Sequence, residues 1–148
     1  MTREEAVRRI HQAAEEKLTQ LDLAGLDLEE LPGEIGTCTQ LETLLLGEKF
    51  YEEKRELVRN KLTEFPDAVL QLTNLKILDL NRNQITSIPE ALGQLSNLTE
   101  LHLDENQITS IPEALGQLSN LTELHLNNNQ ITSIPEVLKQ LPNLKIYE

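Results

Sequence analysis

Two histidines, His102 and His125, are the residues whose type and spacing could support chemistry. They stand in two segments of nearly identical sequence, and a glutamate stands two positions before each of them, at Glu100 and Glu123. If the two segments form neighbouring strands about 4.8 Å apart, the imidazoles and carboxylates share one face. Such a group could bind Zn²⁺ or titrate near neutral pH. A repeated sequence also duplicates any surface histidine, so we expect neither a metal ion nor another cofactor.

Other groups that could support catalysis are isolated. Cys38 is the only cysteine, which excludes an intramolecular disulfide, and no histidine is near it in the sequence. The serines stand in segments such as Thr-Ser-Ile-Pro and Leu-Ser-Asn. Turn chemistry explains serines in these contexts. We therefore predict that the chain is not an enzyme.

The histidines belong to a 23-residue repeat that dominates the sequence. Residues 98–120 and 121–143 agree at 18 of 23 positions. The unit reads L-x-x-L-x-L-x-x-N-x-I-T-x-I-P-x-x-L-x-x-L-x-N. Its main positions recur at Leu75, Leu98, Leu121 and Leu144, at Asn83, Asn106 and Asn129, and at Pro89, Pro112 and Pro135. Such a fixed period indicates structural units that stack on one another.

Two divergent copies precede the regular ones, and a partial copy follows them. The first covers residues 18–40, the second begins at Leu41 and resumes at Asn60, and a sixth begins at Leu144. We predict a single domain over residues 1–148. Residues 1–17 form an N-terminal capping helix, with a capping-box pattern at Thr2 and Glu5. Residues 18–143 form five repeats, and 144–148 begin another.

An insertion interrupts the second copy, at about residues 47–59. Phe50 and Tyr51, two of only four aromatic residues, stand in it among many charges. A long loop on a rigid scaffold often carries function, so this aromatic pair is a second candidate binding site. The alternative is a mobile, solvated loop, or a short helix that packs Leu57 and Val58 against the repeats.

The repeat resembles the leucine-rich repeat family in its 23-residue intracellular form. The resemblance implies an α/β solenoid: a right-handed coil with a parallel β-sheet on the concave face, an irregular or 3-10 convex side and an N-terminal capping helix. The residues agree with this fold, because the alternation in L-x-x-L-x-L is typical of a half-buried strand. Leu101 and Leu103 point inward, and the polar residues between and around them point outward. The repeated asparagine is expected to form a buried ladder.

The first half also resembles the N-terminal repeats of bacterial Roco proteins, through the helical cap, the run LDLAGLDLEELPGEIGTCTQLETLLLG and a charged insertion before N-K-L-T. In that family such repeats precede a Ras-like GTPase and a dimerisation domain. This chain contains no G-x-x-x-x-G-K-[ST] phosphate loop, so GTP binding does not carry over. Leu26 replaces the repeated asparagine in the first copy and leaves that ladder position without its amide.

The charge pattern indicates that the concave face is acidic. The formal net charge is -12, and no Lys or Arg occurs between Asn83 and Leu138, where seven Asp or Glu occur. This excess of acids argues against nucleic-acid binding and favours a protein partner with a basic surface. The predicted partner-binding residues are Asp79, Asn81, Arg82, Glu100, His102, Asp104, Glu105, Glu123, His125, Asn127 and Asn128.

Location and assembly follow from the remaining features. The single cysteine and the charged N-terminus favour the cytoplasm over secretion, and no apolar run predicts a membrane span. Residues 144–148 read as a bare edge strand, which indicates that the natural chain continues or that the edge self-associates. We therefore predict a cytoplasmic protein-interaction module. The alternative is the regulatory arm of a Roco-type GTPase whose catalytic domain is absent from this chain.

Overall fold

The computed structural model describes residues 2–148 and forms a solenoid in which successive turns each contribute one short strand. A helix comes first (α1, Thr2–Glu15) and a single helical turn comes late (α2, Glu136–Lys139). The strands are β1 (Gln20–Asp22), β2 (Thr43–Leu45), β3 (Glu48–Tyr51), β4 (Glu56–Arg59), β5 (Ile77–Asp79), β6 (Glu100–His102), β7 (Glu123–His125) and β8 (Lys145–Tyr147).

The concave side is a parallel sheet in the order β1-β2-β5-β6-β7-β8. Leu78, Leu101 and Leu124 occupy the same register position on successive strands and are fully buried. Each fully buried leucine contributes about 1.5–3 kcal/mol relative to an exposed one. The polar residues on either side of these leucines point away from the core, as the alternation predicts. The predicted solenoid with a parallel sheet is therefore confirmed.

The convex side consists of short 3-10 helices that follow the repeated prolines, at Gly33–Thr37, Asp67–Gln71, Glu90–Gln94 and Glu113–Gln117. Proline suits this place because it has no amide to give to a sheet. Ile88, Leu92 and Leu95 close the core from this side with side chains that are buried. In the last turn, the short helix α2 takes the place of the 3-10 segment.

The asparagine ladder forms as predicted. The amide nitrogen of Asn106 donates to the carbonyls of Leu80, Leu103 and Asp104, and its oxygen accepts from the amide of Ile85. Asn83 and Asn129 make the same pattern one turn earlier and one turn later. Each of these side chains thus connects neighbouring turns of the coil.

Asn60 is a further member of the ladder. Its side chain also forms the hydrogen bonds that the first copy, which has Leu26 in place of asparagine, cannot make itself. Its oxygen accepts from the amides of Leu26 and Leu28, and its nitrogen donates to the carbonyls of Leu23 and Leu46. The expected gap at Leu26 is therefore bridged from the next turn, and the Leu26 side chain joins the core.

Helix α1 covers the N-terminal end of the core with Ala6, Ile10 and Ala13, which are fully buried. The predicted capping box does not begin the helix. Thr2 already belongs to α1, and the Glu5 carboxylate accepts hydrogen bonds from Arg8 and Arg9. The Glu5 carboxylate is thus occupied by two guanidinium groups instead of by an amide of the first turn.

The insertion forms an antiparallel hairpin of β3 and β4, so the expectation of a short helix is wrong. Leu57 does not pack against the coil, because its side chain is exposed. The hairpin contacts the first turn instead: Lys49 Nζ donates to Asp22 Oδ2 at 3.1 Å, and the Tyr51 hydroxyl donates to the Gly25 carbonyl at 2.9 Å.

Candidate functional site

The polar face of the sheet carries two rows of side chains set by the strand register. One row contains Ile77, Glu100, Glu123 and Lys145, and the next contains Asp79, His102, His125 and Tyr147. Side chains in one row are direct neighbours across parallel strands. The register therefore brings the predicted residues Glu100, His102, Glu123 and His125 into one group.

The second row forms a stack of aromatic rings. The ring centroids of His102 and His125 are 4.3 Å apart with planes 11° from parallel. Tyr147 stacks on the other side of His125, with centroids 4.4 Å apart and planes at 9°. Tyr147 is not among the binding residues predicted from the sequence.

A register shift by a single position places Tyr147 in this stack. His102 and His125 are separated by one full repeat, whereas the strand register pairs His125 with Tyr147, which comes one position short of a full repeat. One residue separates Leu144 from Ile146, where two separate Leu121 from Leu124. Ile146 consequently pairs with Leu124, and Tyr147 points to the concave side. The shortened spacing was the signal in the sequence that could have predicted this.

Carboxylates surround the imidazoles. Nε2 of His102 lies 3.1 Å from Oε2 of Glu100, and Nε2 of His125 lies 3.0 Å from Oε2 of Glu123. Oδ2 of Asp104 lies 3.9 Å from Nδ1 of His125. The hydrogen bond from His125 lowers the pKa of Glu123 below its ordinary value, so this carboxylate is charged at neutral pH. The group presents negative charge and flat aromatic surface together.

A second ladder runs beside the strand ends through Asn81, Asp104 and Asn127. Oδ1 of Asn81 accepts from the amide of Asp104, and Oδ1 of Asp104 accepts from the amide of Asn127, each at 2.7 Å. These three predicted binding residues therefore also hold successive turns in register. Only the polar atoms that these hydrogen bonds leave unused can bind a partner.

Arg82, Glu105 and Asn128 form the rim beyond this ladder. All three have φ between 55° and 57°, in the left-handed region that is uncommon outside glycine. Arg82 forms ion pairs with Glu48 of the hairpin and with Glu105, the latter at 3.0 Å. Arg82 and Glu105 line a shallow hollow of about 250 Å³ together with Asp79, Asn81 and Asp104. Arg82 is thus neutralised by its own chain.

Phe50 and Tyr51 lie apart from the stacked rings, on the hairpin beside the first turn. Tyr51 is half-buried and bonded to Gly25, as described above. Phe50 is 54% exposed and pairs across the hairpin with Leu57, which is 46% exposed. The hairpin therefore presents a small apolar surface, separate from the acidic one.

Cys38 is buried at the end of the first 3-10 segment, where its thiol donates to the Ile10 carbonyl at 3.5 Å. Burial raises the pKa of this thiol, which keeps it protonated and unreactive. Among residues 2–148, no helix has the length and apolar character needed to cross a membrane.

Comparison with known proteins agrees with this geometry. A family model described as a leucine-rich repeat region matches residues 55–147, and the chain belongs to the leucine-rich repeat family. No curated protein matches the chain at a significant level.

Several solved structures share the fold. A leucine-rich repeat protein of Leptospira interrogans is 37% identical over 87% of this chain and 30% of its own, with a TM-score of 0.70. Internalin C2 of Listeria monocytogenes is 29% identical over 90% of this chain and 53% of its own, with a TM-score of 0.72. The ectodomain of the receptor kinase SOBIR1 from Arabidopsis thaliana is 28% identical over 80% of this chain and 60% of its own, with a TM-score of 0.64.

The chain spans less than two thirds of each of these structures. Leucine-rich repeat domains generally mediate protein–protein interactions, because their curvature creates an extended surface on a rigid scaffold.

Proposed function

We propose that this chain binds a protein partner with a basic surface through its concave face. The observation that carries the proposal is a set of four carboxylates on and just beyond β6 and β7, those of Glu100, Asp104, Glu105 and Glu123. Their side chains are 24–39% exposed, so they are accessible yet held by the scaffold. Among residues 2–148, Arg82 pairs with Glu105, whereas no Lys or Arg forms an ion pair with Glu100, Asp104 or Glu123.

The physical role of these carboxylates is to attract and orient the partner. A surface field of one sign raises association rates by about 10–1000-fold and weakens as salt increases. The stacked rings of His102, His125 and Tyr147 add a flat surface of the kind on which Arg side chains stack. We therefore infer that arginine-rich segments are the preferred partner chemistry. The predicted residues Asp79, Asn81, Arg82, Asn127 and Asn128 form the margin of this surface.

A charge-reversal pair tests the proposal. In E100K/E123K, two carboxylates of the concave row become ammonium groups, while Asp104 is left in place because it bonds to the Asn127 amide. In the control E90K/E113K, the same change is made in 3-10 segments on the convex side, again at equivalent positions of two successive repeats. Binding of an arginine-rich peptide, followed by fluorescence anisotropy, should weaken about tenfold or more in the first variant only. Equal losses in both variants would contradict a specific concave site.

The remaining features support a non-enzymatic role in a reducing compartment such as the cytoplasm. The only cysteine is buried and protonated, and the ionisable groups of the concave face are arranged as ion pairs and stacks. Purified chain is expected to bind peptide without changing it, which mass spectrometry of the recovered peptide checks.

A second candidate is the regulatory arm of a Roco-type GTPase, based on the helical cap and the charged insertion before Asn60. In that case the concave face would bind a domain of the same polypeptide. The genomic reading frame distinguishes the two candidates. Continuation past Glu148 into a phosphate-loop motif supports the regulatory arm, and a stop codon there contradicts it.

A further inference from the structure

The stacked histidines and their glutamates form a group of potential metal ligands. Ligand atoms of His102, Glu123 and His125 all lie within 4.8 Å of one another. Glu100 lies next to this group of three, because the register places it beside Glu123 and its Oε2 lies 3.1 Å from Nε2 of His102. The repeated sequence alone predicts no metal ion here, but from this geometry we propose that these four side chains bind one Zn²⁺ ion on the concave face. The proposal stands independently of whether this face also binds a protein.

The donor set selects the kind of ion. Two imidazole nitrogens and two carboxylate oxygens match the four-coordinate sites of Zn²⁺. Ca²⁺ and Mg²⁺ prefer six or more oxygen ligands, which this group does not offer. The four side chains are 20–39% exposed, so an ion can reach them directly from solvent.

Electrostatics favours a cation at this place. Glu100 and Glu123 are direct neighbours across the sheet, and Asp104 lies on the other side of His125. Lys145 is the one basic residue in the same row, beside Glu123. Like charges placed opposite each other destabilise a sheet, and a divalent cation between the two carboxylates removes this repulsion.

Asp104 supplies the outer support that a metal-binding histidine needs. Its Oδ2 lies 3.9 Å from Nδ1 of His125, and a shift of about 1 Å would make this contact a hydrogen bond. Such a bond fixes the proton on Nδ1 and leaves Nε2 free to coordinate.

Binding requires the parallel stack of His102 and His125 to open. The two imidazoles are nearly parallel, so both Nε2 atoms now point toward glutamates. In a tetrahedral Zn²⁺ site with Zn–N distances of about 2.05 Å, the two nitrogens lie about 3.4 Å apart. The rings therefore tilt toward each other, and coordination replaces the two His–Glu hydrogen bonds. Any proton on a coordinating Nε2 is released to solvent, so affinity should rise with pH.

Calorimetric titration of the whole chain with ZnCl₂ at neutral pH tests the proposal. We expect one ion per chain, and at least about tenfold weaker binding in H102Q/H125Q and in E100Q/E123Q. The control H11Q removes the third histidine, which is exposed on α1, and should bind as the wild type does. MgCl₂ and CaCl₂ should give no measurable heat. Circular dichroism establishes that each variant is folded.

Three results would overturn the proposal. The first is no heat from the wild type with ZnCl₂. The second is unchanged affinity in folded H102Q/H125Q. The third is a loss in H11Q equal to that in the double variant, which would indicate unspecific binding by imidazoles. None of these experiments involves a protein partner, so their failure would leave the protein-binding proposal intact.

Discussion

Tyr147 stacks on His125 with ring centroids 4.4 Å apart, and thereby extends the histidine pair of the preceding turns to the last strand of the sheet. The stack depends on the shortened spacing between Leu144 and Ile146, because the full repeat spacing would turn Tyr147 toward the core. The end of the sheet therefore belongs to the concave site.

Substitution Y147A should lower the free energy of unfolding by about 0.5–1.5 kcal/mol, the usual contribution of an aromatic pair. The side chain is 39% exposed, so loss of buried area adds little. Y147F keeps the ring and should behave like the wild type. Urea denaturation followed by circular dichroism measures the difference, and equal destabilisation by both changes would show that the hydroxyl matters rather than the stack.

Substitution N106A should destabilise the chain by about 2–4 kcal/mol, because it leaves three carbonyls and the Ile85 amide without this partner. The matched control is N97A. Asn97 is exposed and makes one hydrogen bond, to the Thr73 carbonyl. Its loss should cost less than about 1 kcal/mol. Similar urea midpoints for the two variants would contradict the ladder as a main source of stability.

The repeat explains why the ladder and the sheet could be predicted from sequence. Leucine and asparagine recur at a fixed period, so each regular copy confirms the register of the others. The divergent copies lack this support. In the insertion, the segments around Phe50 and Val58 carry many charges, and the same residues are compatible with a helix or with a hairpin.

At the ends of the repeat array, too, the sequence alone did not predict the contacts that form. Asn60 accepts a hydrogen bond from the amide of Leu26, and a register shift brings Tyr147 beside His125. Both features depend on contacts between turns whose sequences differ from the consensus. The adjacency of the two histidines, in contrast, followed from their equal repeat position and the strand spacing alone, whereas their stacking is seen only in the structure.

Substitution G25A should detach or displace the hairpin. Gly25 has φ +68°, and a Cβ there would lie 2.5 Å from Cβ of Lys49 and 3.1 Å from the Val58 carbonyl oxygen. Backbone strain and this overlap should together cost about 2 kcal/mol or more. Trypsin should then cleave faster at Lys54 or Arg55, in the hairpin turn. G33A is the control, since nothing lies within 4 Å of its added Cβ. Equal cleavage rates in the two variants would mean that the position of the hairpin does not depend on its close packing against Gly25.

Glu5 should make the cap helix sensitive to acid. Hydrogen bonds from Arg8 and Arg9 lower its pKa from 4.5 to about 2 in the folded chain. The carboxylate therefore stabilises the fold fully above pH 4.5, and this contribution disappears as the pH falls toward 2. Its size should stay below about 1 kcal/mol, because the side chain is one-third exposed and solvent screens the ion pairs.

The variant E5Q isolates this effect. The difference in unfolding free energy between wild type and E5Q should be largest near neutral pH and should vanish near pH 2. E4Q removes a neighbouring charge from the same helical turn and should show a smaller dependence. A wild-type advantage over E5Q that persists unchanged at pH 2 would contradict the role of the two arginines.

The concave binding surface is the central claim, and nuclear magnetic resonance titration tests it most directly. Amide resonances of the ¹⁵N-labelled chain are followed while an arginine-rich peptide is added. Shifts should concentrate on β6, β7 and β8, including the amides near His102, His125 and Tyr147, and they should decrease as salt is added. Shifts that instead concentrate on the convex 3-10 segments, or that spread evenly over the chain, would contradict the account.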